Sequence, residues 1–488
     1  MTHDVMVGTE VHGNYIGGAF QTPKAGDRYE RRSPSAPDQI VGCFASSTAA
    51  DVAEAVSAAA EAQTAWASTP APARGRVLAA AARALESRLE RVAHDMTREM
   101  GKPIREARGE VARAVAILDF FAGEGQRALG DVYEQSTSRG SVYTVRKAVG
   151  VVGLITPWNF PIAIPTWKAA PALVFGNSVV LKLANDAPRT GLHLAECFDA
   201  AGLPPGVLNV VTGFGADAGA PLVADARVAA VSFTGSIAVG EGVRDAVAGR
   251  GGRVQLELGG HNPLIVAADA SLDAAVEAAY AGAFWSAGQK CTATRRIYVQ
   301  APVYDEFRRR LCARIADGRV GDPLDPATEI GPLVNERQRE DVLAAIDRGR
   351  SEGGTVAAGG DAPALDGWFV EPTVFEGVAD DAYLSCEEVF GPVTTLYAFD
   401  DLDEGFARAN RGAFGLSASI FTDSIATSER FIHEVRAGIL HVNSQTAGAE
   451  AHVPFGGTKG SGFGPHEQGR AAIEFYTELV TVYRDAAS

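Results

Sequence analysis

Val151-Val-Gly-Leu-Ile155-Thr-Pro-Trp-Asn159-Phe-Pro161 opens a regular rhythm in the chain. A short apolar run ends in a turn held by two prolines. Similar strand-like runs follow at Ser178 to Leu183, Val207 to Val211, Ala229 to Phe233 and Arg253 to Leu258, with helix-like runs between them. Strands alternating with helices of this length predict a parallel sheet wound on both faces, the dinucleotide-binding architecture. The usual Gly-x-Gly-x-x-Gly is absent from the first turn. Gly213-Phe-Gly215-Ala-Asp-Ala-Gly219 misses it by one position and reads more simply as a strand-to-helix loop. Phe233-Thr-Gly-Ser-Ile-Ala-Val-Gly240 is a better phosphate site: a strand ends at Phe233 and a helix opens near Ser236. Free N–H groups and the helix dipole there suit a pyrophosphate, and Gly235 permits close approach. A plain capped helix reads the same way.

On the N-terminal side, Asn14-Tyr-Ile-Gly-Gly and Ser33 to Asp38 read as short strands and turns. A helix is expected near Asp51, capped by Thr48. One longer helix is expected to carry the stripe Val77, Leu78, Ala81, Leu85, Leu89, Val92 and Met96, stopped by Gly101-Lys-Pro103. Another covers about Ile104 to Ala128. Ser141 to Lys147 alternates like a strand outside the α/β rhythm, as a hairpin arm able to pair with a second subunit. On the C-terminal side, from Leu264 to about Lys459, Ile297 to Val299, Thr394 to Tyr397, Ser417 to Phe421 and Ile439 to Val442 read as strands. They alternate with helical runs such as Val303 to Ile315 and Glu336 to Glu352, giving a second α/β domain. Ile473 to Tyr483 alternates like a strand.

The chain has 488 residues, too many for one core. Its 44 basic against 60 acidic residues give a net charge of −16, which argues against nucleic acid or an anionic membrane as partner. No apolar run approaches the roughly 18 residues of a membrane span. Met1-Thr-His-Asp-Val-Met does not read as a signal peptide. The 5 cysteines lack any Cys-x-x-Cys pair, so neither a disulfide framework nor a metal site is expected, and a reducing cytoplasm fits.

Three residues carry candidate chemistry. Cys291 lies in Phe284-Trp-Ser-Ala-Gly-Gln-Lys-Cys291-Thr-Ala-Thr, between a helix-like run (Ser271 to Ala287) and a strand-like run (Arg296 to Gln300). A thiol at such a junction is held from both sides and can face a cleft; the alternative is a packed structural cysteine. Asn159, fixed between Pro157 and Pro161, is either an oxyanion donor or a stabiliser of its own turn. Glu257, ending an apolar strand before Gly259-Gly260, is either an ion-pair member or functional, because a carboxylate there is costly.

These residues and their surroundings resemble the aldehyde dehydrogenase superfamily over nearly the whole chain. The motifs are Pro157-Trp-Asn-Phe-Pro161, Phe233-Thr-Gly-Ser236, Glu257-Leu-Gly-Gly260, Gly288-Gln-Lys-Cys291, Glu387-Glu-Val-Phe-Gly-Pro392 and Pro454-Phe-Gly-Gly-Thr-Lys459, in family order. The resemblance implies an α/β aldehyde dehydrogenase fold: a Rossmann-like cofactor domain (1–130 and 148–257), a second α/β catalytic domain (258–460) and a small β oligomerisation arm (131–147 and 471–488). A homodimer or homotetramer is expected. It implies that Cys291 attacks the aldehyde as thiolate, that Asn159 and the Cys291 N–H hold the alkoxide, and that Glu257 activates water to hydrolyse the thioester. It also implies a nicotinamide site. Ile155, Thr156, Pro157 and Trp158 come from the first strand end, and Phe233, Gly235, Ser236, Val239 and Leu258 from the phosphate turn. Lys182 and Asn185 would meet the adenine ribose, Glu388 the nicotinamide ribose, and Phe390 the nicotinamide region.

Many NAD-preferring members carry glutamate three residues after the lysine. Here Lys182-Leu-Ala-Asn185 offers no charge against a 2′-phosphate, so NADP⁺ is expected to be accepted and preferred, with NAD⁺ the alternative. The stretches around Cys291 and from His452 to Glu478 look like 2-oxoglutarate semialdehyde (2,5-dioxopentanoate) dehydrogenases. Arg295 and Lys290 stand near by as cations for such an anion, or face solvent. The alternatives are an aromatic aldehyde, with Trp167, Phe284, Trp285 and Phe455 as its walls, and succinate semialdehyde. An acylating coenzyme A enzyme or an inactive binding relative fits less well, because Glu257, Cys291 and Asn159 are all present.

Overall fold

The computed structural model describes residues 11–22, 27–127, 129–136 and 140–485. Two large sheets carry the molecule. In the first, of eight strands, the five central members are parallel and run Arg253–Glu257, Val228–Thr234, Val151–Ile155, Ser178–Lys182, Leu208–Val211. In chain order the sheet therefore steps outward one way from Val151–Ile155 and then restarts on its other side. That reversal is the point at which doubly wound sheets bind ligands. Register sets Ile155 beside Phe233 and Lys182, and Thr234 beside Glu257, along one carboxyl edge. The middle of Ser178–Lys182 is apolar and fully buried (Val179, Val180 and Leu181), as in a sheet covered on both faces.

The second sheet has seven strands, with Asn262–Val266 between Thr294–Gln300 and Ser417–Phe421. Its strands are parallel except for the edge strand Thr355–Ala358. A separate three-stranded sheet joins Thr477–Arg484, Ser141–Ala148 and Val132–Tyr133. The arm's long strand thus pairs antiparallel with the chain's own tail. Among the described residues no helix is long and apolar enough to cross a membrane.

Several local expectations change. The single helix through Val77 to Met96 is two, Ala71–Glu86 and Leu89–Met100. The Ser87 hydroxyl takes the Ala84 carbonyl at 2.9 Å, a local bond that competes with helix continuation, although the apolar stripe runs on. Gly101 ends the second helix at φ +81°, a conformation glycine adopts without strain. The helix from Ile104 stops at Glu124; Ala128 lies outside the described residues. The tail opens with a short helix, Ala472–Tyr476, and becomes strand only at Thr477. Gly215–Gly219 forms one wide helical turn, with no phosphate-loop geometry.

Candidate active site

Asn159 is fixed by two buried partners. Lys102 Nζ donates to its backbone carbonyl at 2.7 Å, and its Nδ2 donates to the Gln289 carbonyl at 3.0 Å. Lys102 is itself paired with Glu110, whose other oxygen accepts the Ile162 and Ala163 N–H groups at 3.1 Å each. The side chain therefore does not close its own turn. It reaches across to the cysteine loop, and the second hydrogen on Nδ2 remains for another acceptor.

The helix before that loop ends at Phe284, short of the expected Ala287. Ser286, Ala287 and Gly288 then adopt left-handed backbone at φ 58°, 52° and 66°. Two consecutive non-glycine residues in this region are strained and persist only where neighbours enforce them. Glu106 does so, accepting the Ser286 N–H at 3.0 Å and its hydroxyl at 2.6 Å. Gly288 has no room for a side chain, since a Cβ would sit 2.1 Å from the Gly391 carbonyl. The strain turns the chain sharply, and Cys291 comes out partly exposed at the head of Thr294–Gln300. Asn262 Nδ2 holds the Cys291 carbonyl at 2.8 Å. Burial pushes the Cys291 thiol up to about 12, and the carboxyls of Glu388 and Glu257 add to the shift. The resting group is a thiol; becoming a thiolate requires a change in those surroundings.

Glu257 ends its strand 3% exposed. Its carboxyl is raised well above 4.5, first by burial and then by Glu467, against the opposing pull of Lys168. Its Oε2 is buried without a partner. Behind it, Lys168 is ion-paired with Glu467 and donates to Ser232 Oγ at 2.7 Å, while Trp167 Nε1 donates to Glu467 at 2.6 Å. Glu257 thus holds its proton more tightly than a free carboxyl beside a buried, ionisable network, the setting of a tunable proton acceptor. Gly259 and Gly260 are needed by contact: Cβ atoms there would lie 2.2 Å from Glu388 Oε2 and 2.3 Å from the Cys291 carbonyl.

Two cavities meet at Cys291. One, of about 320 Å³, is lined by Pro157, Trp158, Asn159, Gly235, Ser236, Leu258, Glu388 and Phe390. It lies outside the reversal of the first sheet. The helix Ile237–Gly249 opens there, and its first bond is Gly240 N–H to the Ser236 carbonyl at 3.0 Å, so the preceding amides stay available. Glu388 accepts the Gly260 N–H at 3.0 Å, and burial raises its carboxyl to about 7. The remaining expected cofactor residues lie off this wall. Lys182 is adjacent to Ile155 in the sheet, and burial lowers its ammonium to about 8. Asn185 donates to Asp186 at 3.0 Å. Thr156 is buried with its hydroxyl unpartnered, Phe233 is buried in the sheet, and Val239 is 54% exposed on the helix. The second cavity, of about 210 Å³, is lined by Glu257, Cys291, Thr234, Arg113, Trp167, Trp285 and Phe455, among others. Of the proposed aromatic walls, Phe284 instead faces the core. Neither Arg295 nor Lys290 faces solvent. Arg295 donates to the Gly391 and Gly288 carbonyls, with its Nε buried and unpartnered, and Lys290 donates to the Ala281 carbonyl at 2.9 Å.

The sequence matches the aldehyde dehydrogenase family over residues 20–482. The chain belongs to the aldehyde dehydrogenase family. It is 44% identical over 474 residues to an alpha-ketoglutaric semialdehyde dehydrogenase of Bacillus subtilis, covering 96% of this chain and 97% of the relative. It is 40% identical over 476 residues to a betaine aldehyde dehydrogenase of Brucella anthropi, covering 96% of each. An aldehyde dehydrogenase of Bacillus cereus, solved as its NAD⁺ complex, superposes with a TM-score of 0.95 at 34% identity, covering 98% of this chain and 97% of that one.

Several residues that shape this aldehyde dehydrogenase's site escaped the sequence reading: Lys102, Glu106, Glu110, Arg113, Lys168 and Glu467. A signal for some of them existed. Glu106, Glu110 and Arg113 fall at four- and three-residue steps along Ile104–Glu124, a polar stripe at helical period. Lys168 lies in the helix Ala163–Val174, every residue of which is buried. A lone cation in so apolar a run demands a partner.

Proposed function

We propose that this aldehyde dehydrogenase oxidises 2-oxoglutarate semialdehyde (2,5-dioxopentanoate) to its acid through a thioester on Cys291, with NADP⁺ as preferred cofactor and NAD⁺ as the alternative. The observation that carries the catalytic assignment is that Cys291 is common to both cavities, so one sulfur faces a cofactor-sized channel and a substrate-sized chamber. The substrate follows from the relative at 44% identity over nearly the full length.

When bound, the oxidised nicotinamide supplies the hydride acceptor. The fit rests on the amides at the opening of Ile237–Gly249 for the phosphates and on Glu388, beside Gly259, for a ribose. As a thiolate, its proton released to solvent, Cys291 Sγ bonds the aldehyde carbon, while the free Nδ2 hydrogen of Asn159 and the Cys291 N–H hold the oxygen as charge develops. Glu257 takes a proton from water for hydrolysis of the acyl group, as its raised affinity for protons suits. Lys182 has no carboxylate within 4.0 Å among the described residues, and residue 185 is a neutral amide; both favour a 2′-phosphate. The arm leaves Val132, Tyr133, Leu479 and Tyr483 exposed, which supports a homodimer or homotetramer through that face. The free cysteines suit a cytoplasmic setting.

The test is a panel of dicarboxylic semialdehydes, aliphatic aldehydes and aromatic aldehydes with both cofactors and no coenzyme A. The expected result is free 2-oxoglutarate as product and the highest kcat/KM for its semialdehyde with NADP⁺. A higher value for an aromatic aldehyde, or for NAD⁺, refutes the corresponding half.

A further inference from the structure

Two residues that line the substrate-side cavity carry buried N–H donors without a protein partner. Arg113 projects from Ile104–Glu124 into the wall. Its Nη2 donates to Gln468 at 3.1 Å and its guanidinium lies 5.3 Å from the Trp167 ring centroid, while its Nε is buried without a partner. Trp285 presents a buried Nε1 that also has no partner. The Arg105 guanidinium lies 5.1 Å from the Trp285 ring centroid and adds positive charge behind it. Both side chains line the chamber that Cys291 opens into.

Buried N–H groups without acceptors are rare, because each forfeits its hydration for nothing. The neighbouring carboxylates do not answer these two. Glu110 is committed to Lys102, and Glu106 to Ser286. Glu450 acts on Arg113 only through space, and among the described residues no carboxylate lies within 4.0 Å of that guanidinium. Lys290, the other cation of the wall, is occupied by the Ala281 carbonyl. Both donors are therefore free to take an acceptor that a ligand brings.

We propose that Arg113 and Trp285 form the anion-binding end of the substrate chamber: their Nε–H and Nε1–H take the carboxylate of a short semialdehyde acid, and so present its far, aldehyde carbon to Cys291. This inference deepens the substrate reading above and rests on it. The two residues determine specificity and take no part in bond making. A charged guanidinium there also disfavours a quaternary ammonium aldehyde such as betaine aldehyde, the substrate named for the Brucella relative.

The experiment compares 2-oxoglutarate semialdehyde with pentanal, a neutral aldehyde of the same chain length, in the wild type, Arg113→Met, Arg113→Lys and Trp285→Phe. Inhibition of pentanal oxidation by 2-oxoglutarate is measured alongside. The ratio of kcat/KM, anion over neutral, is expected to fall about 10- to 100-fold in Arg113→Met, chiefly through KM, as for a lost hydrogen bond to a charged group. Arg113→Lys should recover part of it, and Trp285→Phe should lose several-fold. Inhibition by 2-oxoglutarate should weaken in parallel. If Arg113→Met does not fold, Trp285→Phe and the inhibitor series decide. A wild type that prefers the anion, with ratios unchanged in the variants, overturns the subsite and leaves the substrate reading intact. A wild type that prefers pentanal while 2-oxoglutarate inhibition still depends on Arg113 overturns the substrate and keeps the subsite. Preference for pentanal with no inhibition overturns both.

Discussion

Replacing Glu257 by Gln keeps the shape of the site and removes its proton acceptor. The Gly457 N–H that bonds this carboxyl can bond a Gln carbonyl equally, so the loss is chemical and not structural. General-base assistance contributes about 10²–10⁴ in rate, and steady-state turnover should fall by that much. Acylation does not call on Glu257. Stopped-flow absorbance should therefore show a rapid burst of about one reduced nicotinamide per subunit, followed by the slow phase. The wild-type kcat should rise with pH as Glu257 loses its proton, and this limb should vanish in the variant. Stability moves the opposite way. The folded carboxyl holds its proton at pH values where the unfolded one, near 4.5, has released it, so stability drains as pH rises from 4.5 toward the folded value. Glu257→Gln should then melt higher than wild type at pH 8 and equally at pH 4. Turnover within a few-fold of wild type, or loss of burst and steady state together, would refute the assignment of Glu257 to hydrolysis.

Asn159→Ala removes a preorganised donor and should lower kcat by about 10²–10³ in steady-state assay. Glu388 has its carboxyl raised by burial from 4.5 to about 7, a stability cost of roughly 3 kcal/mol that is complete above pH 7 and absent below 4.5. Glu388→Gln should recover much of that in melting experiments at pH 8, while raising the cofactor KM. In the wild type the same KM should fall as pH rises through 7 and the ribose acceptor ionises. Asn185→Glu places a carboxylate beside Lys182 and should shift kcat/KM toward NAD⁺ by at least about 10-fold, read from parallel assays with the two cofactors. Separately, NADP⁺ binding should weaken as pH rises through about 8, where Lys182 loses its charge.

The α/β rhythm from Val151 to Glu257 is legible because the central strands Val151–Ile155 and Ser178–Lys182 are largely buried and read as short apolar runs bounded by turns. Asn159, Glu257 and Cys291 were legible because each stands beside residues with unusual backbone demands, Pro157, Gly259 and Gly288. Periodicity failed where the apolar stripe runs on across a break: nothing from Val77 to Met96 reveals that one helix ends at Glu86 and the next opens at Leu89. It also could not foresee Ser286 and Ala287, whose left-handed backbone opposes their own preference and exists only because Glu106, far back in the chain, grips it. The polar stripe of Glu106, Glu110 and Arg113 marks a face of its helix, but nothing local says which distant backbone that face holds. Arg295 and Lys290 show the converse, two charges next to the nucleophile in sequence that are buried and donate to backbone carbonyls.

The nucleophile and the two carboxyls beside it constrain one another. Burial favours the neutral form of Cys291, Glu257 and Glu388 alike, and each negative charge among them would raise the proton affinity of the others. Each of the three groups therefore favours its neutral form, and the thiol is poorly reactive toward electrophiles that wander in. A cofactor held in the channel with its cationic ring near the sulfur would favour thiolate, against the opposing charge of an ionised Glu388. Alkylation of Cys291 by iodoacetamide should accordingly be slow near pH 7, faster at high pH, and faster still in Glu257→Gln at a pH where wild-type Glu257 is ionised. The opposite ordering, with Glu257→Gln slowed, would mean that the carboxylate serves as base to the thiol, and the division of labour between acylation and hydrolysis would have to be redrawn.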